Sequence, residues 1–168
     1  TSGSAGDPKG VMVSHGNLIA NQALIKAAFG NDASDIVAGW LPQYHDMGLI
    51  GNILQPLYLG ATAILMQPLT FLQDTGRWLE VISRYRATIS GGPDFAYRLC
   101  ARRIDPTRRQ AWDLSHWRVA FNGAEPVSPD TLQGFAHASA PHRCRARPRC
   151  RRAAGSQHPV PLPGRSAG

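Results

Sequence analysis

Ten residues at the start of the sequence, Thr1-Ser2-Gly3-Ser4-Ala5-Gly6-Asp7-Pro8-Lys9-Gly10, gather the groups that hold a polyanion. Glycine lets backbone N–H groups turn into a concave nest and brings no β-carbon to keep an anion away. Thr1, Ser2 and Ser4 add hydroxyl donors, and Lys9 adds a compact positive charge. That is the chemistry of a phosphate cradle. It is not the Walker arrangement, because Lys9 follows a proline and no Ser or Thr comes directly after it. A flexible Gly/Ser linker has a similar composition, but the Asp-Pro-Lys-Gly step into apolar Val11-Met12-Val13 argues against one. A second cluster, Trp40-Leu41-Pro42-Gln43-Tyr44-His45-Asp46-Met47-Gly48-Leu49-Ile50-Gly51, sets an imidazole and a carboxylate just past an apolar run. If that run is a strand, His45 lies at its carboxyl edge, where open α/β sheets place their ligands. Asp46 then either caps the following helix or fixes the His45 tautomer, and the sequence leaves both open.

Two later segments have the same strand-then-turn form. Gly91-Gly92-Pro93-Asp94-Phe95-Ala96-Tyr97-Arg98 reads as a strand end with proline opening a helix. Phe121-Asn122-Gly123-Ala124-Glu125-Pro126-Val127 carries Asn-Gly, a common turn pair, at a strand end.

Taken in order, these four blocks resemble the adenylate-forming superfamily: acyl-CoA synthetases, fatty-acyl-AMP ligases, peptide-synthetase adenylation domains and luciferases. The His-Asp-Met-Gly block resembles long-chain fatty-acyl-AMP ligases in particular. The resemblance implies ATP and Mg²⁺ as cofactors, formation of an acyl-adenylate from a fatty acid, and transfer to an acyl carrier protein or CoA. It implies phosphate contacts at Thr1, Ser2, Gly3, Ser4, Gly6 and Lys9. His45 would be the catalytic residue, orienting the adenylate as a donor or aromatic wall rather than shuttling a proton. His45 would also line the acyl pocket with Gly91, Gly92 and Phe95, while Asn122, Gly123, Ala124 and Glu125 would face adenine and the adenylate. One position departs. The family has Thr where this sequence has Ala5, and a lost hydrogen bond to a charged group is worth about 1.5–3 kcal/mol.

The implied fold is α/β, a fragment of the large N-terminal domain with a parallel-rich sheet layered by helices. Periodicity supports it independently. Short apolar runs at Val11–Val13, Ile36–Leu41, Ala61–Met66, Ala87–Ser90 and Trp117–Phe121 read as strands. Helical patterns cover Asn17–Phe29, Asp46–Tyr58, Phe71–Tyr85, Phe95–Arg103 and Pro129–Ala136. Strands separated by helices predict parallel layers. Trp40, Trp78, Trp112 and Trp117 are expected in the core, as is Cys100. Arg98, Arg102, Arg103, Arg108 and Arg109 are expected on a solvated face rather than at an anion site.

Residues 1–136 are expected to be a partial AMP-binding domain and 137–168 an Arg/Pro-rich, disordered tail. The chain has 168 residues and a net charge of +7. Arginines 143, 145, 147, 149, 151, 152 and 165 face no acid in the tail, whereas acids and bases balance before it. The excess is therefore a tail property and does not indicate nucleic-acid binding by the body of the chain. No Ile, Met, Phe, Trp or Tyr follows Ala136, so the tail lacks apolar surface to offset ordering entropy. Its composition is also what GC-rich coding DNA yields out of frame. The three cysteines form no C-x-x-C pair, and no zinc or disulfide framework is expected. With no long apolar run and no leader pattern, a cytoplasmic protein without a membrane span is expected. The family's Tyr-Gly-x-x-Glu block, ribose-binding Thr-Gly-Asp and catalytic lysine domain do not appear, so no metal ligand is assigned. The chain alone is expected not to complete adenylation. A non-catalytic, partner-binding fragment and nucleic-acid binding through the tail are the alternative readings.

Overall fold

The computed structural model describes Asp7 and residues 10–139. The phosphate-cradle positions Thr1, Ser2, Gly3, Ser4, Gly6 and Lys9 lie outside the described residues, as does the tail from residue 140 onward. The helix α1 (His15–Phe29) begins two residues earlier than its pattern suggests, because Ser14 and Asn17 form a capping box. Ser14 Oγ accepts from the Asn17 N–H at 3.1 Å, and Asn17 Oδ1 accepts from the Ser14 N–H at 3.0 Å. Gly30 closes the helix at φ 60°, the left-handed conformation that glycine adopts without a β-carbon penalty.

The strands β1 (Ile36–Gly39), β2 (Thr62–Leu65), β3 (Ile89–Gly92) and β4 (Val119–Asn122) form one four-stranded sheet in the order β2-β1-β3-β4. Every pairing is parallel, with Val37 beside Ala63 and Ile89, and Gly91 beside Phe121. The predicted parallel α/β architecture is present. Three expectations need correction. Val11–Val13 is not a strand: these residues are more than half exposed, and among the described residues no strand pairs with them. The strand expected to be buried at Ala61–Met66 is a sheet edge, paired on one side only, with Thr62, Ala63 and Leu65 exposed. The single helix expected over Phe71–Tyr85 is two, α3 (Pro68–Gln73) and α4 (Gly76–Arg84). Asp74 breaks it by turning its carboxylate to the Gly76 N–H at 3.0 Å, a local bond that competes with the helix. Arg108 holds the same carboxylate through two bonds of 2.6 and 2.9 Å, which keeps Asp74 below the usual carboxylate range.

Side-chain alternation divides the sheet into two faces. Ser90 and Gly92 face α4 and α5 (Asp94–Arg103), where Trp78 donates Nε1–H to Ser90 Oγ at 2.8 Å and Ser90 donates to the Ala38 carbonyl at 2.6 Å. Trp40 stacks on Phe71 at 3.9 Å, and Trp78 meets Tyr97 and Trp117 edge-on. All four tryptophans are buried, as expected. The short helix α6 (Pro106–Arg109), which periodicity does not reveal, starts at Asp105 capping the Thr107 N–H at 2.7 Å. The opposite sheet face carries α1, a π-helical segment (Met47–Leu54) and α2 (Gln55–Leu59). The helix α7 (Pro129–Ser139) packs on α5 through Phe135 against Tyr97, and it runs past Ala136.

Cys100 lies inside this packing at 1% exposure, and burial pushes its thiol up to about 12. The thiolate is the nucleophile. Iodoacetamide at about pH 8 is therefore expected to leave Cys100 unmodified in the native chain and to label it in urea, as read by peptide mass mapping.

Candidate functional site at the carboxyl edge of the sheet

Because the strands are parallel, their carboxyl ends share one edge, and the segments singled out by motif follow those ends. His45 and Asp46 come after β1, Asp94 and Phe95 after β3, and Gly123 to Glu125 after β4.

The His45–Asp46 pair sits where the chain enters the π-helical segment. The Gln55 N–H returns to the Ile50 carbonyl, five residues back, rather than four. Gly48 permits this path: a β-carbon there would stand 2.0 Å from the Pro42 carbonyl oxygen. Asp46 Oδ1 accepts from the Met47 N–H at 2.7 Å and lies 2.8 Å from His45 Nδ1. Nδ1 is also 3.2 Å from the Met47 N–H, a donor that it shares with Asp46. Nδ1 accepts from the Met47 N–H when the ring is neutral, and Asp46 is its ion-pair partner when the ring is protonated. Of the two roles the sequence left open for Asp46, capping of the Met47 N–H is the one its hydrogen bond carries. The imidazole is half exposed.

Behind the other two segments stands Asp94, a residue to which no motif assigned a role. Its side chain is 3% exposed. Oδ1 accepts from Asn122 Nδ2 at 3.0 Å and from the Ser128 N–H at 3.1 Å, while Oδ2 accepts from the Thr131 hydroxyl at 2.8 Å. One carboxylate therefore joins the start of α5 to the end of β4, the following loop and α7. Glu125 ties the loop a second time: its Oε1 accepts from the Phe95 N–H at 2.6 Å, in the first turn of α5 where backbone donors lack helical partners. Between these anchors Ala124 has φ 68°, a left-handed conformation that costs a residue with a β-carbon about 1–2 kcal/mol. The signal that could have exposed Asp94 was an acid at the first turn of a helix, directly after a Gly-Gly-Pro strand end.

A cleft of about 320 Å³ runs between α1, the π-helical segment and the sheet. Its walls are apolar: Ile25, Phe29, Val37, Ile50, Ile89 and Phe121. Asp46, Gly123 and Ala124 lie at the carboxyl-edge mouth, and Asn31 and Gln55 at the other end. His45 adjoins this mouth through Asp46. Gly91 stands behind the cleft wall, since a β-carbon there would lie 2.1 Å from the Phe121 carbonyl oxygen and 2.5 Å from its ring. Gly92 and Phe95 are elsewhere, on the opposite sheet face beside Trp40. Asn122 is buried and holds Asp94, whereas Ala124 and Glu125 are exposed. Among the described residues no group of three His, Cys, Asp or Glu side chains could hold a metal ion. No described helix is long and apolar enough to cross a membrane.

The chain belongs to the AMP-binding enzyme family, whose pattern matches residues 1–143. It is 55% identical over 135 residues to a medium-chain-fatty-acid–[acyl-carrier-protein] ligase of Teredinibacter turnerae, covering 80% of this chain and 21% of that protein. A ligase of the same description from Moorena producens is 48% identical, over 80% of this chain and 23% of that protein. A fatty acyl-adenylate ligase from L. pneumophila, solved with acyl adenylate and pyrophosphate, superposes with a TM-score of 0.82 at 50% identity. That superposition covers 85% of this chain and 25% of the other, so the chain spans about a quarter of the length or less of these relatives.

Proposed function

We propose that this chain supplies the acid-binding cleft and part of the nucleotide edge of a cytoplasmic fatty-acid ligase. That enzyme runs R-COO⁻ + ATP → R-CO-AMP + PPi and then R-CO-AMP + HS-carrier → R-CO-S-carrier + AMP + H⁺, with the thiol of an acyl carrier protein as acceptor. The observation that carries the reading is the apolar cleft opening at the strand ends between Asp46, the neighbour of His45, and Gly123–Ala124. An acyl chain would lie in the cleft, with its carboxylate at the mouth. The carboxylate is already a nucleophile, so the protein's part is positioning and stabilisation of charge. His45, with the Asp46 carboxylate 2.8 Å from its Nδ1, would offer Nε2 and a ring face to the forming adenylate. With Nδ1 accepting from Met47, Nε2 carries the proton of the neutral ring, so it donates a hydrogen bond in the neutral and the protonated form alike. The left-handed turn at Ala124 lies at the cleft mouth with Gly123, where adenine would meet its backbone. The described residues form no cage for Mg²⁺, and no step here depends on one.

The length of the cleft supports a reading of the acyl chain. The lining runs from Val37 and Ile89 at the strand starts to Gly123 and Ala124 beyond the strand ends. Four strand residues span roughly 13 Å, which an extended chain covers with about ten carbons at roughly 1.2 Å per bond. A medium-chain acid fits better than the long chain expected from the motif, and the names of the Teredinibacter and Moorena relatives point the same way. Their names also favour a carrier protein over CoA as acceptor.

The test is ATP–pyrophosphate exchange with decanoate, on this chain joined to the remaining three quarters of the L. pneumophila ligase. Exchange above the acid-free background is expected. Lys9→Ala should lower it by about 10- to 100-fold through loss of a charge-assisted phosphate contact, and Ala5→Thr should leave it equal or raise it. Unchanged exchange in Lys9→Ala would remove the phosphate role from residues 1–10.

A further inference from the structure

The turn after β4 keeps Ala124 in a conformation that needs a cause. Its φ of 68° lies in a region that residues with a β-carbon rarely enter. On the near side of the turn, Asn122 is buried and fastened to Asp94. On the far side, Glu125 reaches across to α5, where its Oε1 accepts from the Phe95 N–H at 2.6 Å. Among the described residues, that is the one hydrogen bond made by positions 123–127. The Phe95 N–H belongs to the first turn of a ten-residue helix, where backbone donors have no helical carbonyl and the helix dipole favours a carboxylate. The same turn borders the cleft mouth. Gly123 and Ala124 line it, and a β-carbon on Gly123 would stand 3.7 Å from Met47 Cε, next along the chain from His45 and Asp46.

We infer that Glu125 is a positioning residue for the nucleotide: by holding the Phe95 N–H it keeps Ala124 left-handed, and so sets the Gly123–Ala124 backbone where adenine would meet it. That role rests on the adenylating reading of this edge proposed above. It differs from the direct adenine contact that the family resemblance implies for Glu125. The carboxylate is already engaged, through a short charge-assisted bond, by α5 rather than left free for a ligand. Without the bond nothing local keeps Ala124 where it is, because the right-handed and extended regions are lower in energy for a residue with a β-carbon. The bond is also exposed, so water can take the place of the carboxylate on the Phe95 N–H and the fold itself loses little. What changes is the path of the turn.

The experiment has a conformational arm and a kinetic arm. In the isotope-labelled 168-residue chain, Glu125→Ala is expected to move Ala124 out of the left-handed region, as read by NMR from its α-carbon shift and its amide-to-α-proton coupling. In the hybrid with the L. pneumophila ligase, the same variant should raise KM for ATP by about five-fold or more. The maximal exchange rate should fall little, the pattern of lost binding rather than lost chemistry. Glu125→Gln keeps an oxygen for the Phe95 N–H and should lose less in both arms. Glycine enters the left-handed region freely, so adding Ala124→Gly to Glu125→Ala should recover most of the lost affinity. A carboxylate that touched adenine directly could not be replaced by glycine at the neighbouring position. A double variant no better than Glu125→Ala therefore overturns the inference, as does an Ala124 that stays left-handed in Glu125→Ala. If the hybrid exchanges and Glu125→Ala leaves KM for ATP unchanged, the inference falls alone. If the unsubstituted hybrid runs no exchange, the adenylating reading falls and takes the inference with it.

Discussion

Asp94→Ala is expected to destabilise the fold by about 3–5 kcal/mol and to release the loop that follows β4. The carboxylate is buried, and three donors depend on it: Asn122 Nδ2, the Ser128 N–H and the Thr131 hydroxyl. Leaving a buried group unpaired costs about 1–3 kcal/mol. Arg98, 3.7 Å away and nearly half exposed, returns to water at little cost and adds little to the total. Asp94→Asn is the informative comparison. Its Oδ1 can keep both Asn122 Nδ2–H and the Ser128 N–H, while the new Nδ2 stands where Oδ2 did and donates to the Thr131 hydroxyl, which turns from donor to acceptor. A loss of only about 1–2 kcal/mol is expected there. Urea denaturation gives the two energies, and hydrogen exchange at Ser128 reports the loop. Equal losses in both variants would mean that charge on Asp94, rather than its set of bonds, holds the segment.

Trp78→Ala should cost a similar or larger amount, about 3–5 kcal/mol, against a total stability for such a domain of about 5–15 kcal/mol. The indole is 1% exposed and meets Trp40, Phe71, Tyr97 and Trp117 with ring centroids 5.3 to 6.0 Å away. Removing it opens a cavity at the centre of the α4–α5 face and strands no polar group, since Ser90 keeps its bond to the Ala38 carbonyl. Trp78→Phe retains most of the ring and gives up chiefly the Nε1–H bond, for a loss nearer 1–2 kcal/mol. Near-ultraviolet circular dichroism followed through urea unfolding separates the two variants. A Trp78→Ala protein as stable as wild type would mean that the aromatic cluster is not the core.

Much of the fold was legible because its signals are local. The four paired strands are short β-branched or glycine-rich runs, and helices such as α1 and α5 have clear caps or proline starts. The failures were tertiary. Val11-Met12-Val13 has strand composition, yet a strand exists only by pairing, and nothing local states whether a neighbour is present. The break at Asp74 depends on one carboxylate preferring the Gly76 N–H, which periodicity cannot register. At the site, the motifs led to His45 and to the Asn122–Glu125 turn, because their residue types carry recognisable chemistry. Asn31 and Gln55 were invisible: amides in helical surroundings read as solvent-facing, and only the packed structure shows them closed in at the end of a cleft. The family resemblance assigns Gly91, Gly92 and Phe95 together to an acyl pocket, while adjacent strand residues point to opposite sheet faces, which sets Gly92 against Trp40 and Gly91 against Phe121. Phe95 follows its own helix onto the Trp40 side.

The π-helical segment makes the connection between β1 and α2 tolerant of a change in length in one direction only. A π turn holds about one residue more than an α turn, so deleting a single position between Met47 and Leu54 lets the chain rewind with four-residue bonds and largely keeps the relative rotation of its ends. An added residue has no such outlet, and each residue added to a helix turns its two ends relative to one another by about 100°. With Gln55 buried against the sheet, that rotation would fall on Asp46 and His45. The edge histidine would swing away from the Gly123 turn although no residue of the site had been changed. Insertions across these eight positions are therefore expected to disturb the site more than single deletions do, while point substitutions at the outward-facing Leu49 pass unnoticed.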